Sequence, residues 1–217
     1  HLRSYLASDE EVANVVLNNR KQLADIIQSQ LRSRLVTTTP KFDVLVTPGF
    51  YELKENEVTI DREEEPRDFR QSIPGGDRSR IRNMIFTGFR KSLYPYQKFD
   101  SEPERLFAEI LESSPTVLKW FKPAQSNFKL AWRDGDYSPD FIVETTTEKL
   151  MCEPKNPDDL KDEDVLLKAD TAALWCNRAS SAGGKPWRYL LIPADKINQA
   201  MTLDSAISKF QLVVKQV

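Results

Sequence analysis

The sequence predicts a mixed-sheet α/β sandwich, and three observations carry that prediction. From residue 101 onward, helical patterns alternate with short apolar runs in the order helix, strand, strand, strand, helix, strand, helix. The run Trp187 to Ile192 has almost no polar residue after Arg188, which is the composition of a strand covered on both faces. The helical stretch before it carries Val165, Leu166, Ala169, Ala172, Ala173 and Cys176 on one side, and its small alanines suit close packing on a sheet. Ahead of this core the sequence predicts an appendage of helices and short strands. The charged, Pro- and Gly-containing stretch Glu63 to Gly76 serves as the boundary and divides the chain into residues 1–76 and 77–217.

Each element has a local reason. Ser8 with Glu11 three residues on forms a capping box, which opens a helix, or a helix pair broken near Asn18 and Asn19, through Val12, Val16, Leu23, Ile26, Ile27 and Leu31. Phe42–Val46, Tyr51–Leu53 and Val58–Ile60 read as short strands. Ile81, Ile85, Phe86 and Phe89 predict a second helix, ended by Tyr94, Pro95 and Tyr96. Ser101 caps a third, whose apolar stripe is Leu106, Phe107, Ile110 and Leu111. Glu104 sits on the edge of that stripe. Its spacing is compatible with an exposed first-turn carboxylate that favours the helix dipole, or with an inward carboxylate that needs a partner. Phe128–Trp132 reads as a strand and Asp134–Asp136 as a turn, and a terminal helix runs through Ala206, Ile207 and Phe210.

Composition narrows the chemistry. Forty per cent hydrophobic and 29% charged residues suit a soluble globular chain of 217 residues, and no run approaches the roughly 20 apolar residues of a membrane span. The chain begins at His1 without an initiator Met or a signal pattern, so it reads as a cytoplasmic piece of a longer protein. Cys152 and Cys176 both lie among apolar neighbours and read as buried, reduced thiols. With a single His, at the terminus, there is no His base for a serine or cysteine hydrolase and almost no ligand set for a transition metal. Any metal would be a hard, oxygen-bound ion. No phosphate loop of the GxxxxGK[ST] kind occurs, so ATP hydrolysis is not housed in this chain. The net charge of −2 does not announce a nucleic-acid binder. However, Arg78, Arg80, Arg82, Arg90 and Lys91 follow one another with no acid between them, which suits either a solvated face or a phosphate-contacting surface.

The most informative stretch is YSPDFIVETTTEKLMCEPK, residues 137–155. It reads as two strands and a turn, with Asp140 at the start of the first apolar run and Glu153 and Lys155 closing the second. Strand alternation puts Glu153 and Lys155 on one face with Met151, and Leu150, Cys152 and Pro154 on the other. A turn centred between Thr146 and Thr147 sets Asp140 opposite Glu153, with Cβ atoms roughly 5 Å apart, close enough to share a divalent cation. No Gly or Asn-Gly pair marks a tight turn here, which favours a four-residue loop with the same register. Two carboxylates alone would also serve a glycosidase. The lysine beside Glu153 fits phosphate chemistry better, since its ammonium can stabilise developing negative charge or hold an attacking water. Pro154 cannot donate a ladder hydrogen bond, which predicts a bulge or a strand end at the site.

Pro139-Asp140 followed by Glu153-x-Lys155 resembles the PD-(D/E)XK nuclease superfamily. The longer segments RNMIFTGFRKSLYP, FDSEPERLFAEIL, YSPDFIVE, CEPK, LLKADTAALWC and GGKPWRYLLIP resemble the carboxy-terminal endonuclease domain of type III restriction enzyme Res subunits and related helicase-linked nucleases, from about residue 78 to about residue 205. The resemblance implies a restriction-endonuclease-like mixed sheet flanked by helices and a Mg²⁺-dependent endonuclease acting on double-stranded DNA, with Mn²⁺ able to substitute. It implies that Asp140, Glu153 and the carbonyl of Pro154 bind the metal, that Lys155 is the catalytic lysine, and that Glu104 completes the site. Lys168 and Trp175 match recurrent positions in the following helix, and Lys168 joins the arginines as a candidate DNA contact. The implied partners are an ATP-using helicase motor upstream and a modification methyltransferase subunit, with no membrane. A rival of another class keeps the fold and loses cleavage, leaving a DNA-binding or assembly module of a helicase.

Overall fold

A computed structural model describes residues 8–34, 65–123, 128–132 and 135–213. The chain divides into two compact units, His1–Asp43 and Val44–Val217. The first holds α1 (Asp9–Asn18) and α2 (Arg20–Arg34). Ser8 caps α1 by accepting the Glu11 N–H at 3.2 Å, and the break between the helices falls at Asn19, as the sequence predicts. Val16, Leu17, Ile26 and Ile27 are exposed. The strands expected at 42–46, 51–53 and 58–60 lie outside the described residues.

In the second unit, β1 (Arg67–Asp68) pairs in parallel with β2 (Phe86–Thr87). Residues 65–76, grouped by composition with the appendage, therefore pack with this unit and bury Phe69 and Ile73 in its core. The helix expected through Phe89 is shorter and of another kind. A 3₁₀ helix spans Gly75–Asn83, Met84 is extended, and Phe86 enters a strand. Gly88 then turns with φ +89°, where a Cβ would lie 2.9 Å from Asp68 Oδ2, so the helix cannot continue through this point. The spacing of Ile81, Ile85 and Phe86 reflects burial rather than helix period.

Next come α3 (Glu102–Ser113), β3 (Val117–Phe121), β4 (Leu130–Trp132), β5 (Gly135–Tyr137), β6 (Phe141–Thr145) and β7 (Lys149–Lys155). α4 (Glu163–Ser181), β8 (Trp187–Pro193), α5 (Leu203–Phe210) and β9 (Gln211–Leu212) follow. The central sheet has the order β3-β6-β7-β8-β9; β7 and β8 run parallel and the other pairs antiparallel. β3 was not foreseen, and it occupies the edge next to β6. The strand predicted at 128–132 forms instead a small hairpin of β4 and β5, so Gly135 and Asp136 belong to a strand rather than a turn.

Side-chain alternation separates two cores. On one face Phe141, Val143, Leu150, Cys152, Leu190 and Ile192 pack with Phe107 and Leu111 of α3 and Leu203 of α5. On the other, Ile142, Met151 and Tyr189 meet Ala169, Ala172, Ala173 and Cys176 of α4. The second unit is thus a mixed sheet flanked by helices on both faces. Both cysteines are buried and unbridged, and burial pushes the Cys176 thiol up to about 12 and that of Cys152 well above its usual value. No helix among the described residues is long and apolar enough to cross a membrane.

Candidate active site

The β6–β7 register is the expected one: Phe141 faces Cys152, Ile142 Met151, Val143 Leu150 and Glu144 Lys149. Residues 145–148 turn the corner, and Thr145 supplies what a glycine turn would have supplied. Its Oγ1 accepts the N–H groups of Thr147 and Glu148 at 3.3 and 3.0 Å and donates to the Glu148 carbonyl at 2.8 Å. At the opposite end of the hairpin the register brings Asp140 beside Glu153. The Asp140 N–H donates to Glu153 Oε2 at 3.2 Å.

Of the bulge or strand end expected at Pro154, the structure shows the strand end: β7 stops at Lys155 and its pairing with β6 stops at Cys152, while Pro154 still pairs with Ile192 of β8. Alternation explains the tolerance. The Lys149 N–H points to β8, reaching Pro186 O at 2.8 Å, so the odd-numbered residues of β7 address β8 and the even-numbered ones address β6. The imide nitrogen of Pro154 therefore faces a point beyond the start of β6 at Phe141, where there is no ladder acceptor to lose. Its carbonyl points the same way.

Glu153 is 7% exposed, and three donors hold it. Besides the Asp140 N–H, the Tyr137 hydroxyl donates to Oε2 at 3.0 Å and Lys155 Nζ to Oε1 at 3.3 Å. The Tyr137 hydroxyl also lies 3.2 Å from that of Tyr189, and burial followed by the Glu153 charge raises both phenols far above their usual range. Both stay protonated and act as donors. Burial, then the neighbouring Glu153 charge, pushes Asp140 up to about 8, only partly offset by Lys122 and Lys155. Glu153 is also raised, with burial outweighing Lys155 and the three hydrogen bonds. Two inward carboxylates that resist shared ionisation provide what a hard cation neutralises.

Asp140, Glu153, Pro154 and Lys155 line a cleft of about 660 Å³ together with Arg82, Asp100, Ser101 and Glu104. It opens at the carboxyl ends of the parallel strands β7 and β8, where open α/β sheets commonly bind ligands. Glu104 is the inward alternative of the two that spacing left open, 6% exposed. It is engaged: Ser101 Oγ donates to Oε1 at 3.0 Å, the Asp100 N–H to Oε2 at 3.1 Å, and Lys122 Nζ also to Oε2. Among the described residues no three Asp, Glu, His or Cys side chains converge as a ligand cluster in this arrangement. The Asp140–Glu153 pair and the Pro154 carbonyl remain the oxygen set that fits a hard divalent ion.

The basic residues disperse. Arg82 lines the cleft and donates from Nε to the Asp100 carbonyl at 3.0 Å. Arg78 and Arg80 are exposed on the 3₁₀ helix. Arg90 borders a separate cavity of about 460 Å³ beside Phe69 and Leu106. Lys91 hydrogen-bonds the Ser114 carbonyl through Nζ, and Lys168 is half-buried on α4. Trp175 packs edge-on against Phe128 and Trp187, with centroids 5.6 and 5.1 Å away. Sequence reasoning missed Tyr137 and Lys122. Tyr137 stands three residues before Asp140 but in β5, a different strand, so no alternation in the sequence ties it to the site; Lys122 follows a strand that was not anticipated. No protein-family description matches the chain, and no curated protein is significantly similar to it.

Proposed function

We propose that residues 77–217 form a restriction-endonuclease-like domain that hydrolyses phosphodiester bonds of double-stranded DNA with Mg²⁺, related to the cleavage module of type III restriction enzymes. The observation that carries this reading is the placing of buried Glu153 and half-buried Asp140 side by side across one hairpin, with the Lys155 ammonium 3.3 Å from Glu153 at the mouth of a cleft. Asp140, Glu153 and the Pro154 carbonyl would hold the ion, with Mn²⁺ substituting. When bound, it supplies positive charge against the scissile phosphate and lowers the pKa of water.

The chain's own residues do the rest. The Tyr137 hydroxyl and the Asp140 N–H fix the Glu153 carboxylate. Lys155, with its side chain 32% exposed, orients the attacking water and opposes the charge that builds on phosphate. Arg82, on the rim, meets the DNA backbone. Water oxygen bonds to phosphorus while the opposite P–O bond breaks. An upstream ATP-using helicase motor and a modification methyltransferase subunit are the partners this reading entails, in the cytoplasm, and without them cutting is weak and unspecific.

Plasmid nicking with Mg²⁺ or Mn²⁺ tests the proposal, comparing the protein with Glu153→Ala and Lys155→Ala. Both substitutions should abolish nicking. Equal residual cutting by all three proteins would refute it, and DNA binding without any nicking would favour the cleavage-inactive module.

A further inference from the structure

Buried Glu104 lines this cleft and pairs with the half-buried Lys122, and the chemistry above uses neither. Lys122 directly follows the edge strand β3. Its Nζ donates to Asp100 Oδ2 at 2.9 Å and to Glu104 Oε2, with the side chains of Lys122 and Glu104 16% and 7% exposed. Burial disfavours its charge, but Glu104 and then Asp140 outweigh that and hold the ammonium above the usual lysine range. One cation therefore already serves Glu104 and Asp100 directly and acts on Asp140. Ser101 Oγ and the Asp100 N–H occupy the rest of the Glu104 carboxylate, so both of its oxygens have donors from within the chain. Glu153 also has donors on both oxygens, but it lies at the cleft beside a second carboxylate, Asp140.

We infer that Lys122 is a built-in counter-cation that withholds Glu104 from metal, so that the cleft takes up one divalent ion through Asp140 and Glu153 rather than two. The inference rests on the metal-dependent reading above and narrows it. Lys122 is in this sense a positioning residue, standing where a second ion would otherwise be needed to neutralise the Glu104 side of the cleft.

Calorimetric titration of the whole chain with Ca²⁺ tests this without any cleavage. The unsubstituted protein should bind one Ca²⁺ at the site. Lys122→Met should bind a second, and Lys122→Met/Glu104→Gln should return to one. A second measurement covers the case in which Lys122→Met folds poorly: Glu104→Gln alone should keep Ca²⁺ affinity within about threefold, whereas loss of a true carboxylate ligand weakens binding about tenfold or more. Two ions in the unsubstituted protein, one ion in both it and Lys122→Met, or a tenfold loss in Glu104→Gln would each overturn the inference while leaving the metal site standing. No Ca²⁺ uptake by any protein would instead overturn the metal-dependent reading itself, and this inference with it.

Discussion

Neutralising Asp140 should stabilise the metal-free protein, and only at high pH. The Asp140 carboxyl is raised to about 8 by burial and by the Glu153 charge. A carboxyl whose pKa is higher in the folded than in the unfolded chain binds extra protons when folded, so its contribution to stability is fully present below about pH 4 and is lost as pH rises towards 8. The whole displacement, at about 1.4 kcal/mol per tenfold change in proton affinity, sets a ceiling near 6 kcal/mol. Partial solvent access and the proton shared with Glu153 reduce this to about 1–3 kcal/mol. In a unit of this size that raises the Tm of Asp140→Asn by about 2–12 °C at pH 9 in EDTA, and by little at pH 5. Thermal unfolding at the two pH values measures it. Saturating Ca²⁺ should reverse the order at pH 9, because a ligand that binds only the folded protein stabilises the one that retains the ligand set. An Asn variant less stable than the parent at pH 9 without metal, or an equal difference at both pH values, would refute the repulsion argument.

Tyr137→Phe removes one donor to Glu153 and leaves the Tyr189 hydroxyl without its partner; unfolding in urea should show a loss of about 1–2 kcal/mol, and any nicking activity should fall through kcat while DNA affinity holds. Glu112 accepts the N–H groups of Arg90, Lys91 and Ser92 and the indole N–H of Trp120 at 2.8 to 3.1 Å, so Glu112→Ala should cost about 2–4 kcal/mol and speed amide exchange at 90–92. A wild-type exchange rate at those three amides would contradict that role.

The hairpin was readable because both of its determinants are local. Period-2 apolar alternation assigns the faces; the register rests on assuming an even-numbered turn, which the structure bears out through the Thr145 hydroxyl contacts that close it. The capped helices were readable for the same reason, as Ser8 and Ser101 each accept an N–H three residues on. Non-local pairing was not. β3 is five residues long and its sequence holds no turn signal; its membership of the sheet is decided by β6, more than 20 residues downstream in the chain. The same holds for β1, whose two residues gain strand character only by pairing with β2 across the 3₁₀ helix.

Sequence by itself determined the capped helices, the two strands of the β6–β7 hairpin and the burial of the two thiols, because short-range spacing and side-chain chemistry suffice for each. Tertiary structure decided that Glu104 points inward and is taken by Lys122, and that Pro154 is harmless because its nitrogen faces past the end of β6. It also decided that, of the arginines and lysines proposed for DNA contact, Arg82 is the one lining the cleft among the described residues. Those outcomes depend on which strand lies beside which and where each one ends, and contacts between residues far apart in the chain settle both.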